Sequence, residues 1–243
     1  MEAKNRIIVA LDVNTVDEAL KLTRTLAPHV GSFKIGLQFI TAMLARLIAA
    51  ESDMEANFAL QKVRTLFDIL DGNIFWDGKF ADIPNTVGGA SDALTKLDVK
   101  MFNVHASAGI EAMQAAVSKK GQSILLAVTA LTSLNEKNVR RVFGMSTRTK
   151  VLQFARDAKR AGCDGIVCSP QELIFLRQQS KLDSLLMVTP GIRPENSPPD
   201  DQKRTMTAAE AIKAGADYLV IGRPITAAAD PVAAAKQFAA EIA

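Results

Sequence analysis

Aromatic side chains are scarce in this chain: one tryptophan, one tyrosine and 11 phenylalanines, 5% of the whole. That argues against a β-sandwich packed on large rings, and the abundant alanine suits close contacts between helices and a sheet. Cysteine is nearly missing. Cys163 and Cys168 cannot build a disulfide framework or a multi-cysteine metal site, and both are expected to be reduced core residues. Two histidines, His29 and His105, leave no zinc or facial-triad cluster. His105 is expected to pack or hydrogen-bond near a strand end. No stretch of about 18 apolar residues is available to cross a bilayer. The opening Met1-Glu2-Ala3-Lys4-Asn5-Arg6 also lacks the apolar run of a signal peptide. A cytosolic protein without a membrane partner is the expectation.

Charge of one sign does not dominate either. Lys and Arg number 29 against 26 Asp and Glu, interspersed, for a net +3. No basic stripe for nucleic acid results, although a mild positive excess suits an anionic substrate. The sequence also lacks Gly-x-Gly-x-x-Gly after its first strand-like run, which ends Ala10-Leu11-Asp12-Val13-Asn14. A dinucleotide-binding sheet would carry those glycines.

What is present is a repeated order of elements. Hydrophobic residues are 48% of 243, enough for a substantial core in a single domain spanning residues 1–243. Strand-like runs fall at Ile7–Leu11, Ser32–Ile35, Asn73–Trp76, Val99–Val104, Ser123–Ala130, Gly165–Cys168, Leu185–Thr189 and Tyr218–Ile221. Several are apolar on consecutive residues, as parallel strands covered on both faces must be. Helical patterns lie between them, near 15–26, 38–49, 55–69, 85–96, 109–119, 147–160, 170–179, 207–214 and 230–242. Asp230-Pro231 reads as an N-cap with proline at N1, and Gly162 and Gly215 as helix ends. The stretches 50–72 and 133–146 exceed ordinary connections, and the second, polar and ending near Gly144, is expected to be a mobile lid. Eight βα units point to an α/β fold, a single (β/α)8 TIM barrel with its site at the C-terminal strand ends. An open doubly wound sheet is the rival.

The sharpest signal is Phe75-Trp76-Asp77-Gly78-Lys79-Phe80-Ala81-Asp82-Ile83-Pro84-Asn85-Thr86. Asp77 and Lys79 are two apart and share one face of an extended strand. Gly78 is expected to leave room for a helix to approach. If the shared face is the barrel interior, Lys34, at the end of the preceding strand, could continue the alternation as Lys34–Asp77–Lys79–Asp82, with Asp12 adding an acceptor. Interleaved charges can stay ionised where a lone one would be costly. A structural Asp–Lys pair capping a strand remains the alternative, and Lys34 or Asp12 alone reads equally well as a solvated strand end.

A second signal lies downstream. Thr189-Pro190-Gly191-Ile192-Arg193 follows the seventh run, a Pro-rich loop leads to Asp201-Gln202-Lys203-Arg204, and the eighth run ends Ile221-Gly222-Arg223-Pro224. Loops after strands seven and eight are the usual phosphate station of such barrels. Gly222 allows close backbone approach, Arg223 offers a fork of donors, and helix amides beyond it would add partial positive charge.

The Asp-x-Lys-x-x-Asp-Ile-Pro-Asn-Thr stretch closely resembles the orotidine 5'-phosphate decarboxylase family, within the wider phosphate-binding barrels. The resemblance runs from Ala10-Leu11-Asp12 to Ile221-Gly222-Arg223-Pro224-Ile225. It implies a cofactor-independent, metal-independent carboxy-lyase that converts orotidine 5'-phosphate to uridine 5'-phosphate, the last step of de novo UMP synthesis. It implies a homodimer whose sites are each completed by the partner. Under this resemblance Lys79 matches the proton donor and Asp77 the carboxylate beside the substrate carboxylate. Asp82 and Thr86 match residues contributed across the interface. Asp12 and Lys34 match ribose-contacting positions, and Thr132 a pyrimidine contact. Arg193, Gln202, Gly222 and Arg223 match binding residues, with Gln202 bridging phosphate and base. The chain departs from many relatives in having Gly78 where a larger apolar residue is common, and in the longer segment near 50–72. Two other readings stay open: a metal-using relative such as 3-keto-L-gulonate 6-phosphate decarboxylase or hexulose-phosphate synthase, and a catalytically silent phosphate-binding protein.

Overall fold

The computed structural model describes residues 1–195 and 204–243; Gln202, an expected binding residue, lies outside the described residues. Its strands are β1 (Ile7–Ala10), β2 (Ser32–Gly36), β3 (Ile74–Phe80), β4 (Met101–His105), β5 (Ile124–Val128), β6 (Gly165–Val167), β7 (Leu186–Thr189) and β8 (Tyr218–Ile221). Each is parallel to the next, and β8 pairs with β1, so the sheet closes into a barrel in sequence order. These are the eight runs expected from the sequence, with small shifts at their ends. The open sheet is ruled out by closure.

The helices are α1 (Val16–Leu26), α2 (Leu37–Ile48), α3 (Asp53–Leu70), α4 (Pro84–Thr95), α5 (Ile110–Lys119), α6 (Glu136–Phe143), α7 (Thr147–Ala161), α8 (Leu173–Arg177), α9 (Ala208–Lys213), α10 (Arg223–Thr226) and α11 (Pro231–Glu241). Local chemistry sets their ends. Thr15 accepts from Glu18 N at 3.2 Å, Ser146 from Thr149 N at 3.2 Å and Asp230 from Ala233 N at 3.0 Å. Gly162 closes α7 at φ 87°, a left-handed geometry that a side chain would strain.

Strand alternation sorts side chains into two cores. Outward residues such as Ile7, Val9, Phe33, Ile35, Phe102 and Val104 pack under the helices. Inward residues Ile8, Phe75, Met101, Leu126, Val188 and Val220 fill the barrel. At about 1.5–3 kcal/mol for each large side chain, this burial dominates folding. The inward core also floors the C-terminal mouth, so polar groups above it are shielded from water below. Lys34, Asp77 and Asn103 are the inward positions one step above Ser32, Phe75 and Met101.

The helix expected near 55–69 is present as the 18-residue α3, which packs on α1 and α2. Three expectations need correction. Residues 133–146 are not a plain lid loop: Asn135 accepts from Asn138 N at 2.9 Å, α6 runs to Phe143, buries Val139, and ends at Gly144 with φ 72°. The segment near 170–179 is only a capped turn followed by the short α8. Finally, β3 does not stop at Trp76. It continues to Phe80 through an irregularity, since Trp76 pairs with Phe102 but Phe80 with Val104. Four steps of β3 span two of β4, and Lys79 takes φ 49°. Simple alternation therefore does not place Lys79; a bulge does.

Candidate active site at the barrel mouth

The strand ends enclose a cavity of about 540 Å³, a size suited to a small ligand such as a nucleotide. Asp12, Lys34, Asp77 and Lys79 line it. So do Thr132, Arg193, Gly222 and Arg223. The lining thus combines an array of alternating charge with groups from the loops.

The charges form a chain. Lys34 Nζ lies 2.9 Å from Asp12 Oδ1 and 3.2 Å from Asp77 Oδ2. Lys79 Nζ lies 2.8 Å from Asp77 Oδ1. The side chains of Lys34 and Asp77 are only 11% and 9% exposed, whereas Lys79 is 29% exposed, so Lys79 is the more accessible of the two ammoniums. Burial pulls the Lys34 pKa down, but the carboxylates of Asp77 and then Asp12 outweigh it and hold it above the ordinary lysine value. For Asp77 burial pushes up, and Lys34, Lys79 and Asn103 together bring it below the usual carboxylate range. Both groups are ionised at neutral pH. Asp12, 53% exposed on its side chain, belongs to the array's wet end.

Two small residues make this possible. A Cβ on Gly36 would come within 2.7 Å of Lys34 Nζ and 3.4 Å of Asp12 Oδ1, so only glycine leaves the array intact. At Gly78 a Cβ would meet Trp76 Nε1 at 2.9 Å and Phe80 Cε1 at 3.0 Å. The space there is closed by two neighbouring side chains, not by the approaching helix expected from sequence.

Several site residues were not visible in the sequence. Asn103, buried on β4, donates from Nδ2 to Asp77 Oδ1 at 2.6 Å and accepts Lys79 N–H on Oδ1 at 2.8 Å. Its signal was a lone polar side chain in the apolar run Met101-Phe102-Asn103-Val104. Arg204 is buried against Glu172, which it meets in a short ion pair, and donates to Leu131 O at 3.0 Å, next to Thr132. Glu172 in turn accepts from Ser169 N at 2.9 Å, the Ser-x-x-Glu capping box. This pairing ties the loops after β5, β6 and β7. Burial outweighs Arg204 and raises the Glu172 pKa. Arg193 N donates to Met206 O at 3.0 Å, and Met206 N to Gly191 O at 3.3 Å, so the two described ends of the loop after β7 are stitched together.

Asp82 and Thr86 do not join this chain's own cavity. Residues 81–86 are all exposed. Asp82 Oδ1 accepts from Ile83 N at 2.7 Å, and Asp82 has no ion pair among the described residues. The four-member alternation is therefore, within one chain, a set ending at Lys79. The helix after Gly222, α10, has only four residues, too short for much dipole, so Arg223 itself is the main charge there. His105 is half-buried; burial, then Lys79, lowers its pKa against the pull of Asp77, and it is neutral at pH 7. Both thiols are free and buried, Cys163 pushed up to about 12 by burial. Among the described residues no group of three His, Cys, Asp or Glu could hold a metal ion.

Residues 5–238 match the family described as Orotidine 5'-phosphate decarboxylase / HUMPS family. The chain is 43% identical to orotidine 5'-phosphate decarboxylase of Moorella thermoacetica, over 100% of this chain and 94% of that protein. It is 44% identical to the protein of that name from Geotalea daltonii, over 99% and 97%. A crystal structure of orotidine 5'-phosphate decarboxylase from Lactobacillus acidophilus superposes with a TM-score of 0.75 at 32% identity, covering 97% of this chain and 98% of that one.

Proposed function

The chain belongs to the orotidine 5'-phosphate decarboxylase / HUMPS family, and from that membership and the chemistry of its barrel mouth we propose how it removes carbon dioxide from orotidine 5'-phosphate to give uridine 5'-phosphate. The observation that carries the assignment of roles is the half-buried Lys79 ammonium, open to the cavity and held 2.8 Å from a carboxylate that burial would otherwise neutralise.

The C6–carboxylate bond breaks and leaves its electron pair on C6, while carbon dioxide departs neutral. The ring offers no β-keto sink, so stabilisation is electrostatic. Lys79 faces the growing negative charge and then delivers a proton to C6; the neutral amine regains a proton from solvent. Asp77 holds that ammonium in place and meets the substrate carboxylate as a like charge, a repulsion relieved as carbon dioxide forms. Asp12 and Lys34 hold the ribose, Thr132 the pyrimidine, and Arg193, Gln202, Gly222 and Arg223 the phosphate side. Binding energy from phosphate and ribose offsets the cost of bringing the charges together.

Within one chain the array is balanced, two ammoniums against two carboxylates. The working unit is a homodimer in which Asp82 and Thr86 reach the partner's site and tip that balance negative. Support comes from the wholly exposed segment 81–86, which leads into α4 and where Ile83 is 65% exposed. The test follows loss of orotidine 5'-phosphate by absorbance, with and without a chelator. Turnover unaffected by chelation is expected; no turnover, or turnover abolished by the chelator, overturns the reading.

A further inference from the structure

We propose that Asn103 is a positioning residue of the reaction: its single side-chain amide fixes both the carboxylate of Asp77 and the backbone of Lys79. The inference rests on the decarboxylase reading and adds a residue that the sequence motif does not contain.

The geometry defines its orientation. The main-chain N–H of Lys79 can only donate, and it lies 2.8 Å from Asn103 Oδ1. The amide oxygen must therefore face Lys79, which leaves Nδ2 to donate to Asp77 Oδ1 at 2.6 Å. Neither contact works with the amide reversed. The first bond is the one that matters for the bulge. Lys79 sits at φ 49°, a left-handed conformation that costs a non-glycine residue energy and persists only when its surroundings hold it. At the irregularity between Trp76 and Phe80 the ladder to β4 is broken, and the Lys79 N–H finds a side chain in place of a strand carbonyl. Asn103 thus substitutes for the missing rung at the residue whose ammonium does the chemistry.

The second bond directs the carboxylate. Asp77 Oδ1 receives both Lys79 Nζ at 2.8 Å and Asn103 Nδ2 at 2.6 Å, while Oδ2 faces Lys34 Nζ at 3.2 Å. Two donors on one oxygen keep the carboxylate from rotating toward Lys34 and releasing Lys79. The charged and titratable groups around Asn103 are Asp77 and Lys79 on β3, Lys34 on β2 with Asp12 beyond it, and His105 further along β4. Asn103 does not line the cavity, so it acts through these neighbours and not on the ligand.

Asn103→Asp tests this without changing shape. Its carboxyl can still accept the Lys79 N–H, but it can donate to Asp77 only when protonated. Two carboxyls this close share a proton, and the pair titrates above the ordinary carboxylate range. The measurement is kcat and KM for orotidine 5'-phosphate, as a ratio to wild type from about pH 5.5 to 8.5, with UMP affinity alongside. The kcat ratio is expected to fall at least ~10-fold as pH rises, while KM and UMP affinity stay within about threefold. Asn103→Ala, which cannot titrate, is expected to lose roughly 10- to 100-fold in kcat by the same factor at every pH. Wild-type turnover tests the decarboxylase reading by itself. Given that turnover, a pH-independent Asn103→Asp ratio, or an Asn103→Ala enzyme with native kcat, overturns the role of Asn103 alone. If one variant fails to fold, the other decides.

Discussion

Replacing Gly36 with alanine adds one methyl group at the most crowded point of the charge array. The backbone permits it: Gly36 has φ −102° and ψ 175°, ordinary extended values, so conformational strain is not the issue. The added Cβ would lie 2.7 Å from Lys34 Nζ, and what it meets is the far end of a flexible side chain. Lys34 moves, and with it go contacts of 2.9 Å to Asp12 and 3.2 Å to Asp77. Losing one charge-assisted contact of this kind is worth about 1.5–3 kcal/mol. We therefore expect kcat/KM to fall roughly 10- to 150-fold. Stability should fall by only about 1 kcal/mol from the poorer N-cap of α2, or roughly 2–4 °C in Tm. A double-mutant cycle makes the reasoning strict. In a Lys34→Ala background the colliding atom is gone, so Gly36→Ala should cost almost no further activity. Full additivity of the two changes, or native kcat/KM in Gly36→Ala alone, would refute it.

Further outcomes follow from other parts of the molecule. Mixing inactive Lys79→Ala and Asp82→Ala subunits should regenerate one intact site per hybrid dimer, restoring roughly a quarter of wild-type activity by statistical pairing; no recovery after subunit exchange would contradict shared sites. Arg204→Met should destabilise by about 3–5 kcal/mol in urea unfolding, because the buried Glu172 carboxyl loses its partner, and should raise KM through the Leu131–Thr132 turn. Adding Glu172→Leu should recover much of the stability but not the KM. The folded state keeps the Cys163 thiol neutral up to about 12. Its stabilising contribution is therefore complete below the unfolded value of about 8.5 and is lost as pH rises toward the folded one. Urea midpoints should decline above about pH 9 in wild type and less steeply in Cys163→Ala.

The parallel barrel explains why so much of the site could be read from strand ends. In that architecture every strand delivers its last residues to one mouth, so Asp12, Lys34, Asp77 and Lys79 meet although 67 positions separate the first from the last. The less legible parts depend on tertiary detail. The β3 bulge has no sequence mark, because the residue with positive φ is Lys79 rather than the adjacent Gly78. Asn103 is a single polar residue in an apolar strand, and only the inward alternation of β4 places it beside Asp77. The Arg204–Glu172 pair joins residues 32 apart, with only the capping box at Ser169 hinting at one partner. Helix α6 is hard to read because it buries a single residue, Val139, in a polar stretch whose closing Gly144 suits a loop equally well. Asp82 and Thr86 are exposed and do not line the cavity, so among the described residues their motif is the only mark they carry.

The central claim is that the Lys79 ammonium supplies the proton and the transition-state charge. The most direct test compares Lys79→Ala with Arg223→Ala, measuring UMP affinity and single-turnover decarboxylation of orotidine 5'-phosphate. Lys79→Ala should bind UMP nearly as wild type does and lose at least ~10²- to 10⁴-fold in rate, whereas Arg223→Ala should lose mainly affinity. Near-native decarboxylation by the Lys79→Ala protein would contradict the account.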